Sequence, residues 1–112
     1  MKALAIRRYK APMERMELPR PEPGPGELLV RVRAAGVNPL DYKIRDGAVK
    51  VLLPFSFPLI LGTDLAGDVA AVGPGVTRFT VGDAVYTRLD NDHIGAFAEY
   101  AVVRESTAPP AA

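Results

Sequence analysis

The sequence predicts a mainly β domain, a small barrel or sandwich of short strands with a short helix. Three observations carry that expectation. Eleven prolines and ten glycines punctuate 112 residues, which leaves long helices little room. Several runs alternate apolar and polar residues with the period of a strand. Turn signals separate those runs at the roughly 8–12 residue spacing of all-β architectures.

Taken in order, residues 1–7 form a first short strand. Residues 17–26, ELPRPEPGPG, hold too much proline for a helix or a strand and read as an extended loop. The next run, ELLVRVRAA at 27–35, places Leu29, Arg31 and Arg33 on one face and Leu28, Val30 and Val32 on the other. Residues 38–47, NPLDYKIRDG, read as one short helix. Asn38 caps it, Pro39 suits its first turn, and Gly47 suits its end. From residue 64 onward the pattern is β throughout. Residues 67–72 form a strand, 73–75 a turn, 81–83 a second turn, and a further strand starts at Ala84. Residues 96–103 alternate again, with Phe97 and Glu99 opposed to Ala98 and Tyr100. The tail from Ser106 is linker-like.

The glycine-rich stretch LGTDLAGDVAAVGPGVTRFTVGDAVYT, residues 61–87, raises three chemical readings. A dinucleotide loop needs G-x-G-x-x-G between a strand and a helix. Here Arg78 stands where the third glycine belongs, and no helical period follows. Gly73, Gly75 and Gly82 are expected instead to be turn residues accepting positive φ. Zinc needs a converging set of Cys, His or carboxylate ligands. The chain has no Cys and one His, His93, in a polar loop. Asp83, Asp90 and Asp92 lack the loop spacing of a calcium site. No metal site is expected. A nucleophile elbow is also absent. The one cluster of varied chemistry is Asn38, Asp41, Tyr42, Lys43 and Arg45, in which Asp41 and Arg45 sit one helical turn apart and suit a surface ion pair.

Fourteen basic and thirteen acidic residues leave a net charge of +1, too little to gather nucleic acid or an anionic membrane surface. The absence of Cys removes any disulfide framework, and the opening MKALAIRRYK lacks the apolar run of a signal peptide. The expectation is a soluble, cytoplasmic protein with neither nucleic acid nor membrane as partner.

Three segments together carry a resemblance: GVNPLDYKIRDG, then FPLILGTDLAGDVAAVGPGVTRFTVGDAVY, then GAFAEYAVV. In order and spacing they resemble the N-terminal catalytic domain of the medium-chain dehydrogenase/reductases, in particular the zinc-free quinone oxidoreductase branch. The resemblance implies a GroES-like, partly open barrel of short strands over residues 1–107, followed by a linker-like tail at 108–112. In zinc-dependent members a Cys stands where this chain has Asn38, and Gly-His-Glu where it has Gly62-Thr63-Asp64. An amide and a hydroxyl are poor zinc ligands, so the resemblance agrees with the metal-free composition.

The same resemblance implies hydride transfer from NADPH to a quinone or enone. Asn38 would face the nicotinamide and substrate, Thr63 would approach the nicotinamide end, and Lys43 would donate a proton to the developing enolate. Asp41 would orient its neighbours. The family holds NADPH on a Rossmann domain that lies outside these 112 residues, so no NADPH binding and no catalysis are expected of this chain alone. Exposed strand edges point to homo-oligomers. The rival readings are a stand-alone GroES-like binding or assembly module without catalysis and, last, a small carboxylate-metal protein.

Overall fold

The computed structural model describes residues 1–36, 58–89 and 94–108. Within them run seven strands: β1 (Lys2–Ile6), β2 (Glu14–Glu17), β3 (Glu27–Gly36), β4 (Leu59–Ile60), β5 (Asp64–Val72), β6 (Ala84–Arg88) and β7 (Tyr100–Arg104). They form two antiparallel sheets, one ordered β2-β1-β4 and the other β6-β5-β3-β7. The mainly β, GroES-like expectation therefore holds. The predicted helix at 38–47 lies outside the described residues.

The segment before β7 joins the two sheets. Ala98 bridges to Ala3 of β1, flanked by Leu4 N–H donating to the Phe97 carbonyl at 2.8 Å and Glu99 N–H donating to the Lys2 carbonyl at 3.1 Å. On its other side the Glu99 carbonyl accepts from Val32 N–H of β3 at 2.9 Å. One stretch of backbone thus serves both sheets, which curls them into a partly open barrel.

Strand β3 is the central element, paired to β7 over residues 27–31 and to β5 over almost its whole length. Its alternation works as the sequence predicts on the core side. Leu28 and Val30 are fully buried and lie opposite Val103 and Ala101 of β7. Together with Leu65, Val69, Phe79 and Val85 they form the main core. On the opposite face Arg31 and Arg33 are exposed, but Leu29 is buried. The proline-rich loop explains this: Pro21 and Pro23 line a groove with Leu29, Ala71 and Val72, so prolines rather than water cover that apolar side chain. Two register shifts bend β3 against β5, the second leaving Arg33 as the extra residue between Val32 and Ala34. Such a bulge re-aims a side chain, and Arg33 Nε sits 2.7 Å from Asp68 Oδ2.

Two strands depart from the sequence reading. β2 covers residues 14–17 and β4 only two residues, both too short for an alternation to register. They exist because β1 offers them partners: Lys2 to Ala5 pair with Glu17 to Glu14, and Ala5 and Ile6 pair with Ile60 and Leu59. A second, smaller core of Ile6, Leu59 and Leu61 forms beneath them, with Ile94 and Phe97 packed against it.

Candidate functional site

The glycines of residues 61–87 are where the fold meets the candidate chemistry. At the first turn, Gly73 N–H donates to the Glu27 carbonyl at 2.8 Å, and Gly26 N–H donates to the Pro74 carbonyl at 2.9 Å. A Cβ at Gly73 would lie 1.9 Å from the Gly24 carbonyl oxygen. At Gly73 the turn is therefore filled by its own chain: the Gly73 amide is taken by the Glu27 carbonyl and the Pro74 carbonyl by the Gly26 amide. A pyrophosphate has no room beside Gly73. Gly75 (φ 81°) and Gly82 (φ 97°) carry the positive φ expected of them. Gly73 does not: it is glycine because a backbone carbonyl packs where a side chain would be.

Gly62-Thr63 is a different kind of turn. It links β4 to β5 and is tied on two sides. The Gly62 carbonyl accepts from Gly95 N–H at 2.9 Å and Ala96 N–H at 3.1 Å, and the Leu61 carbonyl accepts from Phe97 N–H at 2.8 Å. The Thr63 carbonyl accepts from Leu89 N–H at 2.5 Å, just past the end of β6. Gly62 has φ 109°, and a Cβ there would meet the Phe97 ring and the Phe97 amide, both at 2.8 Å. Only glycine combines that backbone angle with that approach.

Thr63 follows with 0% of its surface exposed. Among the described residues no buried side-chain polar atom lacks a partner, so its hydroxyl is held rather than loose. Next comes Asp64, half-buried, whose carboxylate stands about a van der Waals contact (3.8 Å) from where a Gly36 Cβ would be. Gly62-Thr63-Asp64 is thus a rigid knot between the smaller core and the main one. It adjoins both Gly36, the last described residue of β3, and residue 89.

Thr63 and its knot are the part of the predicted site that the structure places. Asn38 and Lys43 lie outside the described residues, as do Asp41, His93, Asp90 and Asp92. In sequence, the first three follow Gly36 and the last three follow Leu89, two described residues that touch the knot. Among the described residues no three His, Cys, Asp or Glu side chains converge. What sequence reasoning missed is the role of segment 94–97, the lining that fixes the knot. Its Gly-Ala-Phe pattern shows neither charge nor polarity, so only the pairing with residues 61–62 reveals it.

A larger groove, with a volume of about 550 Å³, opens beside this segment. Its walls include Leu18, Pro21, Ile60, Ile94 and Val102, and Arg20 stacks over the Tyr100 ring, 4.5 Å from its centre, at one side.

Comparison with known proteins agrees with this architecture. Residues 24–111 match the alcohol dehydrogenase GroES-like domain. The chain is 45% identical over 94 residues to a chloroplastic quinone-oxidoreductase homolog of Spinacia oleracea, covering 84% of this chain and 29% of that protein. It superposes on a quinone oxidoreductase from Pseudomonas syringae with a TM-score of 0.88 at 34% identity, over 99% of this chain and 33% of the other. A mycobacterial protein solved in complex with NADPH gives a TM-score of 0.84 at 32% identity, over 100% of this chain and 32% of the other. The chain spans about a third of the length of these relatives. A continuous match to the family's domain, on a barrel built as that resemblance predicts, makes this chain a member of the alcohol dehydrogenase GroES-like domain family, with quinone oxidoreductases among its relatives.

Proposed function

We propose that this chain forms the substrate-side domain of a zinc-free oxidoreductase that reduces a quinone or enone at the expense of NADPH. The observation that carries the reading is the Gly62-Thr63-Asp64 knot. It is rigid, buried except at Asp64, and paired to Gly36, after which Asn38 and Lys43 follow in sequence, in a chain whose relatives include quinone oxidoreductases. When bound, NADPH supplies the hydride, from a dinucleotide domain outside these 112 residues.

The chain's own residues then position and protonate. The Gly62-Thr63 turn, locked to residues 95–97, gives the nicotinamide end a wall that does not reorganise during reaction, which is how fixed dipoles lower a barrier. Asn38 offers its amide as donor to the carbonyl oxygen where negative charge develops. Lys43 holds the proton which that oxygen or the adjacent carbon takes up. Asp41 orients these neighbours. Gly73 takes no part, since loop residues 24–27 pack where its side chain would be.

A nuclear magnetic resonance titration of the chain with a soluble benzoquinone tests the substrate side. Amide shifts are expected to cluster at residues 61–64 and 94–97 and to leave 73–75 unmoved. Shifts confined to residues 73–75 or to the Leu29 face would overturn the assignment. Calorimetry with NADPH on the same sample is expected to show negligible heat, and strong binding would overturn the placing of the dinucleotide site outside this chain.

A further inference from the structure

We propose that the turn at residues 76–78 is a preformed seat for a carboxylate, filled in this structure by the chain's own Glu105, and that this self-occupancy latches residues 105–108 onto the barrel. Glu105 Oε2 accepts two consecutive backbone amides, Thr77 N–H at 2.9 Å and Arg78 N–H at 3.0 Å. Successive amides aimed at one point make an anion-binding concavity. The Arg78 guanidinium closes the contact by donating to the Glu105 main-chain carbonyl. Three donors from two neighbouring residues thus converge on one residue of a distant segment. They favour its ionised form: the Arg78 amide first, and the Thr77 amide next, hold the Glu105 carboxyl below its ordinary value.

The seat is built without its occupant. Phe79, which follows the two donors, is buried in the main core, and Val76, which precedes them, packs against it. The same stretch is tied on both sides. Val76 N–H donates to the Gly73 carbonyl at 3.4 Å, and Thr80 N–H donates to Asp83 Oδ2 at 2.9 Å. None of these contacts involves Glu105. Loss of its carboxylate therefore leaves two aligned amides on a turn that stays in place. Both donors belong to exposed residues, and a small carboxylate from solution has the chemistry to take them.

The latch follows from what Glu105 carries with it. Its own N–H donates to the Gly26 carbonyl at 2.9 Å, and Thr107 N–H and Ala108 N–H return to the Arg104 carbonyl at 3.0 and 3.3 Å. That single turn brings Ala108 into the main core, buried in a cluster with Phe79, Val85 and Leu89. The Thr87 hydroxyl adds a long contact, 3.4 Å, to the Thr107 carbonyl. Ala108 buries only a methyl group, a small share of the burial energy, so it depends on the tether that Glu105 supplies just before it. A carboxylate on the same chain also holds the seat at an effective concentration that a free ion has to exceed.

Nuclear magnetic resonance on the wild-type chain and on Glu105→Ala separates seat from latch. In the variant, sodium acetate is expected to shift the Thr77 and Arg78 amides saturably, with a dissociation constant on the order of 10 mM for two charge-assisted bonds. Sodium chloride at equal ionic strength is expected to leave them in place, and so is acetate on the wild type, where the seat is filled. Hydrogen exchange at Thr77, Arg78 and Ala108 is expected to quicken about tenfold in the variant, the loss of roughly one charged hydrogen bond. Saturating acetate is expected to slow Thr77 and Arg78 again but not Ala108, because a free ion fills the seat without the tether. If Glu105→Ala does not fold, Glu105→Gln carries the same test. Its neutral amide oxygen is a weaker acceptor, so acetate is expected to displace it and shift the same two amides at higher concentration. Equal acetate shifts in the wild type, an equal response to chloride, or unmoved Thr77 and Arg78 amides in the variant overturn the seat. Ala108 exchange that is unchanged in the variant, or that acetate restores, overturns the latch.

Discussion

Three glycines of one stretch show how differently the same residue type is used. Gly75 has φ 81° with open space where a Cβ would go, whereas Gly62 has φ 109° with Phe97 at 2.8 Å. Gly75→Ala is therefore expected to cost about 1–2 kcal/mol, the penalty of the left-handed backbone alone. Gly62→Ala is expected to cost about 3 kcal/mol or more, because a backbone amide cannot move aside as a flexible side chain can. Thermal unfolding of the two variants measures the difference. Glu105 sets a pH dependence at the same scale. Its Oε2 accepts the amides of Arg78 at 3.0 Å and Thr77 at 2.9 Å, while the Arg78 guanidinium donates to the Glu105 carbonyl. The Arg78 amide foremost, and the Thr77 amide next, hold the carboxyl below its ordinary value. A carboxylate with a lowered folded pKa contributes stability that is complete above its unfolded pKa and drains away as pH falls through the folded one. Denaturant midpoints of the wild type are expected to fall more steeply with acidification through that window than those of Glu105→Gln. Equal slopes would show that the contact contributes nothing.

Among the elements, β3 carries the fold. Its core-facing Leu28 is fully buried between β5 and β7, so Leu28→Ala is expected to cost about 2–5 kcal/mol through lost burial and the cavity left behind. Arg31→Ala, on the exposed side of the same strand, is expected to stay within about 0.5 kcal/mol. Chemical denaturation of the pair measures how one-sided the strand is. The same element shows why alternation alone misreads Leu29. The strand period assigns it to the arginine face, and only the proline-rich loop folding back over that face buries it.

For the molecule as a whole, residues 97–99 are the weld between the two sheets. Glu99 contributes three bonds there: its amide to the Lys2 carbonyl, its carbonyl from Val32, and its Oε1 from the Lys2 amide at 2.6 Å. Glu99→Pro removes the amide and the side chain together. The wild type is expected to unfold in one transition, coincident by circular dichroism and tyrosine fluorescence. The variant is expected to separate the β1–β2–β4 sheet from the larger one as an earlier transition. Coincident curves in the variant would show that the weld is not what couples them.

The sequence by itself determined the fold class, the family and the strands long enough to display a period: β1, β3, β5, β6 and the approach to β7. It also determined that the glycine-rich stretch is hairpin rather than dinucleotide loop, since the third glycine and the following helix are absent. Thr63 enters as a candidate site residue only through the family resemblance, because a buried threonine has no local signature. Tertiary structure alone decided the rest. β2 and β4 are too short to have a pattern and exist only as partners of β1. Gly73 needs its missing side chain because a carbonyl from residue 24, far along the chain, packs against it. The stiffness of Gly62-Thr63 comes from hydrogen bonds to residues 89 and 95–97, more than 25 residues away. Periodicity records which face of an element meets the core. It holds no record of which distant backbone closes on which turn, and that closure is what shapes this site.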